Sequence, residues 1–558
     1  MFSDPVVGDD FFGRQEIIDL ILKRANALRS GYRQNIAIIG HQQLGKTSVL
    51  RQFLHIFREP EVLCIYVEIK IQALDYFVEQ FIRSLLFQFL IQKQDVAAGE
   101  SLARLAEKAA PSIPLTVQRI HDIIHLLKQR HPEEAYSKLF ELTSVIKQET
   151  GKYCIVILDE FHRLGEFGVK NAFSDFGKRI MVQKDTMYLL SSSSFSASRK
   201  ILAEKLSLLF GNFERIYLEP FNFETSFHFL EKKITPVVLP ENLKYFLVAF
   251  TDGQPFFLDT LAKRIGECSK LKNESAVSRQ TVADVLLKLF FESQGVLNQF
   301  FLKTISSWTR SDSRGSHLLI LAGMAKGVNK LKDISLLVRR NQRETSRQIE
   351  ELIEHELILK TGVFYRFHNK LFKFWLREVY EKKELSLHGS SGGSEEFLKH
   401  MDEMISEYDE LLKMDVTDRV LGLFSQFKNE IVDFGEKKRK LPHFTEFIKS
   451  ASESHMVKGT AKNVIAKGNG RCWVCKIVEE RASEKEVLEL VRNDAPEKRG
   501  VNTKVLVALN GADENAKLLA KEERVLTLGL SRINMLMDLF GKFPIIPLQP
   551  LTQTHGPV

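Results

Sequence analysis

The chain has 558 residues, 44% of them apolar, and a formal net charge of +8. That length exceeds what one hydrophobic core serves and points to about three or four domains of ordinary globular composition. The modest charge permits nucleic-acid contact without arguing for it. Five scattered cysteines (Cys64, Cys154, Cys268, Cys472 and Cys475) exclude a disulfide framework and favour a reducing compartment.

The N-terminus carries Asp4, Asp9 and Asp10 and does not read as a secretion signal. Phe12-Gly13-Arg14-Gln15-Glu16 precedes a helical run through Ile17, Ile18, Leu20, Ile21 and Leu22. An apolar strand, Ile36 to Ile39, then enters Gly40-His41-Gln42-Gln43-Leu44-Gly45-Lys46-Thr47-Ser48, with a helix from Thr47 onward. This is the G-x-x-x-x-G-K-T phosphate loop in its strand–loop–helix setting. Its two glycines let backbone N–H groups turn toward a phosphate at a helix N-terminus. Lys46 supplies a cation to the β- and γ-phosphates of ATP, and the Thr47 hydroxyl completes an Mg²⁺ shell.

A second strand is predicted at Val62 to Ile69, and 72–150 reads as mostly helical with a break near Pro111 and Pro114. The most apolar helical stretch, Tyr76 to Gln92, is interrupted by Glu79, Arg83 and Gln88, so no membrane span is expected and the cytoplasm is the expected location. Tyr153 to Leu158 is a continuous apolar run, as in a central parallel strand, and ends in Asp159-Glu160. Asp159 suits the Mg²⁺ shell, and Glu160 suits orientation or deprotonation of the water that attacks the γ-phosphate. Strands at Met187 to Leu190, running into Ser191-Ser192-Ser193-Ser194, and at Arg215 to Leu218 complete an alternating pattern that implies a parallel doubly wound sheet.

Residues 222–295 read as wholly helical, with Gly253-Gln254-Pro255 opening a helix at Phe256. Residues 316–380 give three helices and a ribbon, Leu357 to Lys360 and Val363 to Phe367 around Thr361-Gly362, the order of a winged helix-turn-helix. Ser386 to Ser394 is a flexible linker. A helical segment, 395–435, follows, then the charged run Glu436 to Lys440, and the chain returns to α/β from about residue 445.

The ordered set of Phe12-Gly13-Arg14-Gln15-Glu16, the phosphate loop, Ile157-Leu158-Asp159-Glu160-Phe161 and Gly253-Gln254-Pro255 resembles the archaeal-type ATPase family of the STAND class, related to AAA+ ATPases. The ending Tyr365-Arg366-Phe367-His368-Asn369 with Leu371, Phe374 and Trp375 resembles that family's winged-helix terminus, so the likeness spans residues 10–380. It implies that Arg14 contacts the adenine region and that Pro255 opens a lid helix over the nucleotide. The bland readings, a surface Arg and a first-turn Pro, stay open. Two departures matter. Relatives usually show Gly-Ser where this chain has four serines; Ser191 or Ser193 either bonds the γ-phosphate or attacking water, or belongs to a solvated loop. Relatives often carry Arg where Asn212 follows Gly211, which implies slow turnover unless Arg215 compensates.

Residues 460–540 resemble a restriction-endonuclease fold whose catalysis has decayed. That fold presents Asp on one strand and Glu-x-Lys on the next, to hold a divalent metal and steady the attacking hydroxide. Here Asn463, Lys476 and Val478 occupy those places. Cys472 and Cys475 form a lone C-x-x-C whose members face opposite sides of a strand, which argues against zinc.

For the winged helix, 316–380 contains twelve Lys or Arg and seven Asp or Glu. Arg339, Arg340, Arg343 and Arg347 cluster where a recognition helix begins, with Asn341 and Gln342 able to read adenine edges. Glu344, Glu350, Glu351 and Glu354 follow and repel phosphates, so double-stranded DNA contact and a docking switch are both open.

The expected architecture is therefore α/β. A P-loop ATPase domain spans 1–221, a helical lid 222–299, a winged helix 300–383, a linker and helical segment 384–440, and a restriction-endonuclease-like pseudonuclease 441–550. The catalytic candidates are Lys46, Asp159 and Glu160, and the metal candidates are Thr47 and Asp159. Arg14, Gly40 to Ser48 and Pro255 bind the nucleotide. The expected function is an ATP-hydrolysing switch; a binding module with negligible turnover is the rival. An unidentified protein partner or self-association accompanies either.

Overall fold

The computed structural model describes residues 4–70, 73–93, 96–97, 99–206, 213–308, 314–385, 392–435, 437–449, 462–468, 470–492 and 501–546. Gly211, Asn212, Glu436 and most of the Ser386 to Ser394 linker lie outside them. The chain divides into two compact units, Met1–Thr225 with Gln254–Phe257, and Ser226–Gly253 with Leu258–Val558.

The first unit contains strands β1 (Asn35–Ile39), β2 (Val62–Glu68), β3 (Tyr153–Asp159), β4 (Thr186–Ser192) and β5 (Phe213–Tyr217), all parallel, in the order β2-β3-β4-β1-β5. Helices α1 (Gln15–Arg29), α2 (Lys46–Ile56), α3 (Leu74–Leu90), α4 (Leu102–Ala109), α5 (Pro114–Lys128), α6 (Pro132–Thr150), α7 (Ala172–Val182) and α8 (Phe195–Lys200) connect them. Strands β1 to β4 are buried on both faces because alternate residues enter two separate cores. Val156 and Leu158 of β3, with Ala37 and Ile39 of β1, join the side chains of α3 to α7. Ile155, Ile157, Ile36 and Ile38 join those of α1 and α2. Each such Val, Leu or Ile side chain, fully buried, contributes about 1.5–3 kcal/mol relative to exposure. Continuous apolar strands are thus what a parallel sheet covered on both sides requires.

Two local expectations need correction. The 72–150 region breaks again at His131-Pro132, where Pro occupies the first turn of α6 and its missing N–H costs nothing. Strand β4 does not stop at Leu190: Ser191 and Ser192 are still in the sheet and fully buried, because their hydroxyls have partners there.

In the second unit, α9 (Phe223–Ile234, entering from the first unit), α10 (Glu241–Thr251), α11 (Pro255–Leu271, whose first turn belongs to the first unit), α12 (Arg279–Leu286) and α13 (Val296–Trp308) come first. The region is not wholly helical, since Val238 bridges Ala276 in a short extended pair. Then come α14 (Arg314–Ala325), α15 (Leu331–Leu337), α16 (Gln342–Glu354) and the antiparallel ribbon β6 (Ile358–Thr361) and β7 (Phe364–Phe367), followed by α17 (Lys370–Trp375), α18 (Glu381–Leu385), α19 (Gly392–Lys413) and α20 (Val416–Phe424). The expected helix over 395–435 ends early. Asp415 caps α20 through the Thr417 N–H, and an antiparallel hairpin, β8 (Ile431–Asp433) and β9 (Lys438–Lys440), occupies the end of the segment and the charged run.

A mixed five-stranded sheet follows, ordered β10 (Glu446–Lys449), β11 (Lys462–Gly468), β12 (Arg471–Val478), β13 (Val501–Ala508), β14 (Leu526–Gly529), antiparallel as far as β12 and parallel beyond it. Helices α21 (Glu484–Arg492) and α22 (Glu514–Glu522) precede β13 and β14, and α23 (Leu530–Leu539) closes it. Among the described residues no helix is long and apolar enough to cross a membrane.

Candidate nucleotide site

The carboxyl ends of β1, β3 and β4 meet where strand order jumps, the position at which open α/β sheets hold ligands. Gly40 follows β1 and must be glycine, because an added Cβ would sit 2.7 Å from the Leu218 carbonyl oxygen. Gly45 takes the left-handed region at φ 88° and begins α2 with no side-chain cap, so the orphan amides of that helix N-terminus face the loop. Gln43 is also left-handed (φ 66°), Gln42 is exposed, and Leu44 anchors the loop in the core. His41 stacks on Phe195, ring centroids 6.0 Å apart.

Lys46 is only 5% exposed, and its ammonium donates to the Gly40 and His41 carbonyls at 2.7 and 2.8 Å. The Thr47 hydroxyl donates to Asp159 Oδ2 at 2.8 Å, and Asp159 is fully buried. Tyr66 donates to the same oxygen at 3.1 Å, while Ser191 donates to Oδ1. Burial, reinforced by the Asp159 charge, pushes the Tyr66 phenol upward, so it stays a donor. The oxygen-only pair of Thr47 and Asp159 fits a hard divalent cation such as Mg²⁺.

Glu160 has φ 63°, a left-handed conformation that costs a non-glycine residue about 1 kcal/mol or more. The turn aims its carboxylate at β4, where Oε2 accepts the Ser193 N–H and O–H, both at 2.8 Å. His162 Nδ1 lies 3.4 Å from that oxygen and 2.8 Å from Ser192 Oγ. Ser191 and Ser193 are therefore tied to the two acids, and Ser192 to His162. Tyr66 and His162 escaped the sequence reading. Strand register is a signal for Tyr66 alone: Glu68 pairs with Asp159, which sets Tyr66 on the same face two residues away, whereas His162 lies in the turn after β3.

Arg14 is also left-handed (φ 63°). Its guanidinium donates to the Glu219 carbonyl and lies 4.9 Å from the Phe221 ring centre. Burial lowers its pKa to about 10, with Glu219 opposing. Ser48 accepts the Val6 N–H, and Gln52 accepts the Gly8 N–H, so the N-terminal segment is pinned to α2 beside the loop. Pro255 begins α11, in the four-residue piece that belongs to the first unit. Arg215 is exposed on edge strand β5 beside Ala37, in the middle of the strand and away from its carboxyl end.

Residues 10–174 match the family model described as the AAA ATPase domain. Over those residues the chain is similar to an AAA ATPase domain. The match ends before β4 and β5, which complete the same sheet. Similar solved structures include a Walker-type ATPase of Pyrococcus abyssi, at 16% identity and TM-score 0.47, over 67% of this chain and 99% of that one. The ORC2 protein of Aeropyrum pernix, in ADPNP–ADP complexes, is 13% identical with TM-score 0.43, over 73% and 97%. The RuvB Holliday junction branch migration motor of Thermotoga maritima is 14% identical with TM-score 0.33, over 68% and 100%. No curated protein matches the sequence.

In the C-terminal sheet Asn463 pairs with Lys476 across β11 and β12. Lys476 is 2% exposed and its ammonium is paired with Glu489 of α21. Val478 is buried with Cys472 and Val474 against α21 and α22, whereas Cys475 lies in the core on the other face of the sheet. Glu479 is half-buried; burial and the nearby Asp415 raise its pKa, against Lys462. Glu489→Ala strands a buried ammonium and is expected to destabilise this sheet by about 1–3 kcal/mol, discounted because Glu489 is itself half-exposed. Hydrogen exchange of the β12 amides reads the loss. A Lys476→Met/Glu489→Gln double variant should recover most of it; no recovery would show that Glu489 acts by packing alone.

Proposed function

We propose that the chain is an ATP-hydrolysing switch of the STAND type, in which nucleotide state is coupled to a winged helix (300–383) and a pseudonuclease domain (441–550). The observation that carries this reading is the convergence of the Thr47, Tyr66 and Ser191 hydroxyls on buried Asp159 beside the Lys46 loop. In it, Lys46 and the amides opening α2 take the β- and γ-phosphates, and Thr47 and Asp159 hold Mg²⁺. The bound ion supplies neutralisation of phosphate charge. Glu160, aimed by Ser193, orients or deprotonates the attacking water. Arg14 borders the adenine region, and Pro255 starts the lid. Steady-state phosphate release compared with that of Glu160→Gln tests it; equal, negligible rates in both would leave a binding module.

The winged helix is read as a docking element. The Val363 N–H at the ribbon tip donates to the Ile431 carbonyl at 2.9 Å, and Phe364 is buried in the C-terminal core, so the wing is already occupied. The C-terminal domain is read as restriction-endonuclease-like without cleavage, because a paired ammonium at Lys476 repels a metal that the carboxylates of an active site would hold. Plasmid incubated with pure protein, ATP and Mg²⁺ or Mn²⁺ should stay supercoiled. Nicking that survives purification and vanishes in Glu479→Ala/Glu480→Ala would overturn this.

A further inference from the structure

Lys438 to Lys440, in the charged run that ends the linker and helical segment of the sequence, form strand β9, and their setting differs from that of the arginines near α16. Lys437, Lys438, Arg439 and Lys440 are all exposed, and among the described residues none forms an ion pair. By contrast Arg347 faces Glu351 at 3.8 Å, and Glu344, Glu350 and Glu354 stand exposed on the same helix. Of the acids at the base of the hairpin, Glu430 pairs with Lys330, and Asp433, across from Lys438, accepts the Gly435 N–H.

The hairpin is also held in place. Val432 and Leu441 are fully buried in the C-terminal core, and Ile431 is bonded to the tip of the β6–β7 ribbon. Gly362 is required at that tip, since a Cβ there would lie 2.2 Å from the Ile431 oxygen. Beside the hairpin, Arg439, Lys440 and Arg471 line a hollow of about 150 Å³ with Thr503 and Trp473. Alternate strand residues share a face, so Lys438 and Lys440 stand about 6.6 Å apart on one side of β9, close to two of the ~3.4 Å steps that separate phosphate charges along one DNA strand's axis. Trp473 is 4% exposed and offers no face for base stacking, which favours a backbone reader of duplex over a single-strand platform.

We propose that the 437–440 edge of the β8–β9 hairpin, with Arg471, docks the phosphate backbone of double-stranded DNA without reading sequence. The proposal is independent of nucleotide turnover, so its test is run without ATP on the full chain. Anisotropy of a labelled mixed-sequence duplex is followed across a salt series. The Lys437→Ala/Lys438→Ala/Arg439→Ala/Lys440→Ala variant should bind at least about tenfold more weakly at low salt. Its slope of log affinity against log salt should fall by at least about 1.8 units, from the two phosphate contacts of Lys438 and Lys440. Replacing Arg339, Arg340, Arg343 and Arg347 with Ala should leave both quantities unchanged, and Lys437→Arg/Lys438→Arg/Lys440→Arg should keep parental binding. Parental affinity and slope in the hairpin alanine variant would overturn the proposal. So would a parent that fails to bind duplex at low salt, or one that binds anionic lipid vesicles in its place.

Discussion

Lys46→Ala is expected to abolish ATP binding in an equilibrium titration with labelled nucleotide. The ammonium is nearly buried, and in the structure it satisfies two loop carbonyls, Gly40 and His41, which hold its stem in the cradle. Phosphate oxygens entering the loop would meet that cation in a partly desolvated space, where a hydrogen bond to a charged group is worth about 1.5–3 kcal/mol. Removing two such bonds lowers affinity by at least about a hundredfold. The fold should survive, because Leu44, Val49 and Leu50 anchor the loop and α2 in the core without help from Lys46. Parental affinity in this variant would sink the assignment of the loop as the phosphate site.

The central strands of the first unit were legible because a sheet covered on both faces demands uninterrupted apolar runs, as at Tyr153 to Leu158. The end of β4 was not, since Ser191 and Ser192 look like a loop until Asp159 and His162 are seen to satisfy their hydroxyls. The same holds for the second unit. The resemblance to a restriction-endonuclease fold picked out β11 and β12, whereas β9 is Lys438-Arg439-Lys440, exposed throughout, with strand pairing to β8 as its structural signature. Short solvated strands have no burial pattern to read. Lys476 was legible as a departure from a metal-binding pattern, but its partner Glu489 lies on a helix whose packing against β12 no local spacing predicts.

Glu160→Gln is expected to keep ATP binding and to slow hydrolysis by about a hundredfold or more, the usual weight of a general base. The exchange is close to isosteric. A glutamine carbonyl can still accept the Ser193 N–H and O–H that Oε2 accepts, so the left-handed turn at residue 160 and the burial of neighbouring Asp159 should be kept. What the amide lacks is a lone pair basic enough to take a proton from water. Single-turnover hydrolysis with ATP prebound separates this step from affinity. Ser193→Ala is the informative companion, because it removes the O–H that directs the carboxylate while leaving the Ser193 backbone N–H in place. If Glu160 works as a base aimed by Ser193, that variant changes the single-turnover rate and leaves ATP affinity as it was, and adding Glu160→Gln to it produces no further change beyond that of Glu160→Gln alone. Parental single-turnover rates in Glu160→Gln would show that the carboxylate only braces the turn between β3 and β4.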